Sequence, residues 1–143
     1  MKTVARLLQA KGQEVWSVRP EQSVFEALEL MAHKNCGALL VLEPAGALAG
    51  IFSERDYARK VILMGKASRD TPVSEIMSPE VVTVAPGQSV RDCMALMTDK
   101  RVRHLPVVEE GQIVGLISIG DVVKAVISEQ EFVIEQLENY ITH

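Results

Sequence analysis

The chain is written twice. Val15-Trp16-Ser17-Val18-Arg19-Pro20-Glu21-Gln22-Ser23-Val24 returns 66 residues later as Val81-Val82-Thr83-Val84-Ala85-Pro86-Gly87-Gln88-Ser89-Val90. The register persists to Gly50-Ile51-Phe52-Ser53-Glu54-Arg55-Asp56 against Gly115-Leu116-Ile117-Ser118-Ile119-Gly120-Asp121, after one residue is lost between Glu43-Pro44-Ala45-Gly46 and Glu109-Glu110-Gly111. Roughly a third of the aligned positions are identical, so a common internal unit is the economical explanation. A copy of about 50–60 residues carries too little core to stand alone. The reading is therefore of two copies packed sheet to sheet as one folding unit, with a pseudo-two-fold and a cleft between equivalent surfaces.

Each copy reads strand, helix, strand, strand, helix, an α/β (α+β) pattern of two βαββα repeats. Val15–Val18 and Val81–Val84 alternate as short strands. Ser23/Glu26 and Ser89/Asp92 have capping-box spacing, and behind them Val24, Leu28, Met31 and Val90, Met94, Met97 recur at i, i+4, i+7. Ala38–Leu42 and Leu105–Val108 suit buried strands. Short Gly-bearing turns then lead into Ala47–Phe52 and Gln112–Ile117, giving antiparallel hairpins. A second helix begins near Ser53 or Ser118. The first stops at Gly65, and the other continues because Val126, Val133, Leu137 and Tyr140 keep helical spacing. The expected divisions are repeat 1 over 12–65, a linker over 66–80 with at most one helical turn, repeat 2 over 81–130 and a helical extension over 131–143. A short helix is expected around Val4–Leu8.

Composition narrows the function classes. With 143 residues, 48% hydrophobic, and a formal charge of −4, the chain has ample core and no generic attraction to nucleic acid or anionic membrane. It lacks an apolar run of about 18 residues and a recognisable leader, so a cytoplasmic location is expected. Cys36 and Cys93 occupy non-equivalent positions outside any CxxC pair, which reads as two reduced structural thiols. His33 and Cys36 at i, i+3 lack the further partners a zinc site needs. No Walker loop, Gly-x-Ser-x-Gly or HExxH pattern appears, and no enzyme is expected.

The chemistry concentrates in Gly-x-x-Ser-x-x-Asp, present as Gly50, Ser53, Asp56 and as Gly115, Ser118, Asp121. A serine at a helix start leaves its hydroxyl and the first-turn N–H groups available to phosphate. A preceding glycine lets another group approach the backbone. An aspartate three residues on can accept from a pair of ribose hydroxyls. The same spacing is also a plain capping box. Arg55 adds a phosphate clamp in the first copy, where the second has Gly120, so two unequal sites are expected. The Lys100-Arg101-Val102-Arg103-His104 cluster suits either a solvated helix end or a phosphate lining.

The tandem repeat, the Val73-Ser74-Glu75-Ile76-Met77-Ser78 segment, Arg103-His104-Leu105-Pro106-Val107-Val108 and the two Ser/Asp turns resemble a pair of cystathionine-β-synthase (CBS) domains over roughly residues 12–130. That resemblance implies a Bateman module: two βαββα units joined through their sheets and assembled as a homodimer. It also implies adenosine-containing ligands, such as AMP, ADP, ATP, NAD(H) or S-adenosylmethionine, in the clefts between repeats. By the family pattern Asp56 and Asp121 hold ribose, and Ser53 and Ser118 hold phosphate. Ser17, Val18, Thr83 and Val84 border the ligand, joined by Arg55, Arg103, His104 and Pro106. The first copy departs at Ala38-Leu39-Leu40, which replaces His104-Leu105-Pro106. The expectation is a regulatory sensor that binds nucleotide without turnover, changes dimer geometry on binding and signals to a protein partner. Its competitor is an interaction module that binds no nucleotide. The terminal helix, with Val133, Leu137, Tyr140 and Ile141, is the expected surface for self-association or partner contact.

Overall fold

The computed structural model describes residues 2–142 and divides them into two compact units: Val15–Val81, and a second built from residues 2–14 with Val82 onward. The element order is α1 (Val4–Lys11), β1 (Ser17–Val18), α2 (Val24–Lys34), β2 (Ala38–Leu42), β3 (Leu48–Ser53), α3 (Glu54–Asp56), α4 (Val90–Lys100), β4 (His104–Glu109), β5 (Gln112–Ser118) and α5 (Ile119–Thr142). α3 opens into a π-helical stretch over Tyr57–Ile62, and a single 3-10 turn covers Val73–Glu75. Mixed helices and small sheets make this an α+β fold. Among the described residues no helix is long and apolar enough to cross a membrane.

In the first unit β1 pairs parallel with β2, Ser17 opposite Leu40, and β2 pairs antiparallel with β3, Ala38 opposite Ser53. α2 closes the sheet. Ser23 Oγ accepts the Glu26 N–H at 3.1 Å at its start, and Asn35 turns left-handed at its end (φ 53°). Val24, Ala27 and Met31 face the core with Leu39, Val41, Phe52 and Val61. The 66–80 segment packs here too, since Val73 and Ile76 are buried in that core and Ser78 bridges to Ile51 on β3.

The second unit repeats the plan with two differences. Its leading strand shrinks to a single bridge, Val84 to Val107, so the ladder expected over Val81–Val84 does not form beyond that point. α1 then takes the place that the 73–77 turn holds in the first unit. Val4 N–H donates to Gln88 C=O and Val90 N–H to Lys2 C=O, both at 2.9 Å. In the first unit Val73 N–H donates to Gln22 C=O at 2.8 Å and Val24 N–H to Thr71 C=O at 2.9 Å. Thr3 bridges Ser89 as Pro72 bridges Ser23. Each leading segment thus packs on the copy other than the one it precedes. Val4, Leu7 and Leu8, all under 5% exposed, complete the core around Val90, Cys93, Met97, Leu105, Val107, Ile117 and Val122.

Candidate functional site

Both Ser/Asp turns form where a strand hands over to a helix, because β3 and β5 end on a serine whose extended backbone suits an N-cap. In the first unit Ser53 Oγ accepts the Asp56 N–H at 3.2 Å, and Asp56 Oδ2 accepts the Ser53 N–H at 3.0 Å and its hydroxyl at 3.1 Å. Oδ1 accepts the Ser78 hydroxyl at 3.2 Å and faces Lys60 Nζ at 3.5 Å. Asp56 is 9% exposed, and both of its oxygens have protein partners. Arg55 stands half-buried on the same turn.

The second turn has the same cap and a different neighbour. Asp121 N–H donates to Ser118 Oγ at 3.2 Å, and Ser118 N–H donates to Asp121 Oδ2 at 2.8 Å. The same Oδ2 receives Lys11 Nζ, from α1, at 2.5 Å, and Lys11 also donates to the Leu116 C=O at 2.6 Å. Burial would by itself raise the Asp121 carboxyl, but the Lys11 ammonium and the Ser118 donors outweigh it and hold the group below the ordinary aspartate value. A Cβ at Gly120 would meet only Ser118 Oγ at 3.6 Å, so this side of the turn is open.

The other candidate residues divide by unit. In the second, His104 lies opposite Ser118 in the β4–β5 register, and the Arg103 C=O accepts the Ile119 N–H at 2.8 Å, so both adjoin the turn. Pro106 is buried, and its C=O accepts the Val84 N–H at 3.0 Å. Thr83 is exposed beside it. In the first unit Ala38 and Gly37 hold the places of His104 and Arg103, and Gly37 C=O accepts the Glu54 N–H at 3.1 Å. Ser17 is exposed, while Val18 and Val84 are 4% and 3% exposed. Those two valine side chains belong to the cores, leaving only their backbone to border a ligand.

Three neighbours of the two aspartates escaped the sequence reading: Lys11, Lys60 and Ser78. The signal available for Lys11 was its place on the Val4, Leu7, Leu8 face of α1. The glycines also changed meaning. A Cβ at Gly50 would fall 2.8 Å from the Ser78 backbone oxygen and from Met77 Sδ, and one at Gly115 2.7 Å from Leu8 Cδ2. The group approaching each glycine is the chain's own leading segment.

Neither cysteine is poised for chemistry. Burial, followed by the Asp92 charge, pushes Cys93 up to about 11. Cys36 is raised chiefly by burial, against a hydrogen bond from the Ala38 backbone. Among the described residues no three His, Cys, Asp or Glu side chains converge as metal ligands would.

A family model for the CBS domain matches residues 12–62 and again 73–128. The mitochondrial CBS domain-containing protein CBSX3 of Arabidopsis thaliana is 40% identical over 97% of this chain and 71% of its own length. A solved protein with CBS domains from Burkholderia ambifaria MC40-6, provisionally assigned to signal transduction, is 50% identical. It covers 90% of this chain and 96% of its own, with a TM-score of 0.86. A hexameric CBS-CP12 protein from bloom-forming cyanobacteria is 27% identical over 86% of this chain and 70% of its own, with a TM-score of 0.77.

Proposed function

The chain belongs to the CBS-domain family, whose members are generally regulatory modules, and from that premise we propose that it senses an adenosine-containing ligand (AMP, ADP, ATP or NAD(H)) without turning it over. One observation carries the reading furthest. Asp121 is held ionised at the start of a 24-residue helix, with Oδ2 fixed by Ser118 and Lys11 and a quarter of its side chain still exposed. A ribose diol supplies two donors that such a carboxylate can accept. Ser118, the first N–H groups of α5 and Lys11 form an electropositive rim for a phosphate beyond it. Binding biases one geometry of a homodimer over another, and a protein partner reads the difference; this requires unequal affinity for the two states.

The two copies are unequal in this role. Asp56 has spent both oxygens on Ser53, Ser78 and Lys60, and serves as a latch between β3 and the 77–78 segment. Titration calorimetry with AMP, ATP and NADH separately is expected to give one strong site per chain with at least one of them. Asp121→Ala removes charge-assisted hydrogen bonds of ~1.5–3 kcal/mol, so affinity falls roughly 10- to 100-fold. Asp56→Ala costs about 1–2 kcal/mol of stability through its cap and leaves affinity within about threefold. No heat with any of the three would remove the nucleotide reading. It would favour the competing interaction module, which the exposed apolar side chains of α5 support on their own.

A further inference from the structure

From residue 131 to residue 141 every position of α5 is exposed, although the helix carries Phe132, Ile134, Leu137 and Ile141 there. A helical arm of this length is marginal in water unless an apolar face is covered. With Ile127 at heptad position a, Ile134 and Ile141 also fall at a, and Val123, Gln130 and Leu137 at d. The apolar positions are 40–80% exposed, so the seam starts beside the folded unit and continues along the arm, with the polar Gln130 as its one break. The flanks decide what fits it. Position g holds Val126, Val133 and Tyr140, and position e holds Lys124, Glu131 and Glu138.

A parallel pair would set Val126 and Val133 against Glu131 and Glu138 of the other copy, matching apolar with charged. An antiparallel pair sets g against g and e against e. Val133 then meets Val133 and Val126 meets Tyr140, while of the e positions Lys124 meets Glu138 and Glu131 faces Glu131 of the second copy. Lys124 is the last lysine or arginine in the chain, while Glu129, Glu131, Glu135 and Glu138 follow it. Only reversal brings that cation to the acidic end.

We propose that α5 is a self-association element, pairing antiparallel with α5 of a second copy along Val123, Ile127, Ile134, Leu137 and Ile141, centred near residue 132. The overlap of 19 residues, Val123 to Ile141, is about 28 Å long at 1.5 Å per residue. The element works whether or not a nucleotide binds.

The test uses the full chain with Cys36→Ser, oxidised by glutathione disulfide, and single cysteines placed on α5. Val133→Cys is expected to form a disulfide-linked dimer at least tenfold faster than Ile141→Cys. Adding Leu137→Lys or Ile134→Lys should slow that cross-link at least tenfold, while Glu135→Lys, off the seam, leaves it unchanged. All three substitutions fall at exposed positions. Ile141→Cys linking as fast as Val133→Cys would mean a parallel pair and overturn the orientation. Absence of a cross-link at both positions, or indifference to both seam lysines, would overturn self-association and leave the face to a different protein.

Discussion

Asp56 and Asp121 hold one position in two copies of one unit, yet their chemistry differs through groups that spacing alone does not reveal. The Ser/Asp grammar was legible because an N-cap and its third residue are sequence neighbours. Lys11 was not legible, because its partner lies 110 residues away and only the docking of α1 brings them together. The pair has a pH signature. A carboxyl held below its ordinary value contributes stability above that value and loses it as pH falls through the folded pKa. Lys11→Met leaves burial as the dominant influence, so the Asp121 carboxyl rises and the acid limb of the stability curve moves to higher pH. At neutral pH the loss is small, about 0.5–1 kcal/mol, since Lys11 is partly solvated. Urea unfolding of both proteins between about pH 3 and 7 checks this against ordinary aspartate behaviour; parallel curves would show that Lys11 does not govern Asp121.

At the scale of elements, hydrophobic spacing located the helices and hairpins, and the capping serines located their starts. It failed at Val81–Val84, because a strand is made by a partner's hydrogen bonds and only Val84 finds one. It also left open which group approaches the glycines, whose requirement comes from segments distant in sequence. The two should differ in cost. Gly50→Ala drives a methyl into the Ser78 backbone oxygen, and Ser78 is pinned to Ile51 by hydrogen bonds of 3.0 and 2.8 Å. Gly115→Ala meets only the end of the Leu8 side chain, which can change rotamer within its core. Overpacking costs roughly 1–3 kcal/mol, and Gly50→Ala is expected near the top of that range and Gly115→Ala near the bottom. Equal losses in denaturant unfolding would show that Leu8 is as immovable as the backbone.

For the whole molecule, the repeat foretold two similar halves, but not the exchange of leading segments. Thr3-Val4…Leu7-Leu8 against Pro72-Val73…Ile76-Met77 is a second internal correspondence, too short and degenerate to notice before the cores are seen. Its energetic weight is testable. Burial of Val4, Leu7 and Leu8 contributes about 1.5–3 kcal/mol each, so a chain lacking residues 2–11 loses roughly 5–9 kcal/mol, comparable with the roughly 5–15 kcal/mol that holds a typical domain folded. Hydrogen exchange should show the β4–β5 amides losing protection while those of β2 and β3 retain it; retained protection in β4 and β5 would mean that α1 is dispensable. The exchange also orders events during synthesis. Residues 2–11 leave the ribosome before the strands that bury them, and cannot settle until Val122 and Ala125 have emerged, whereas Val15–Val81 can close as soon as it is complete. α1 therefore waits with Val4, Leu7 and Leu8 uncovered until then, an interval in which a chaperone or a neighbouring nascent chain would find it first.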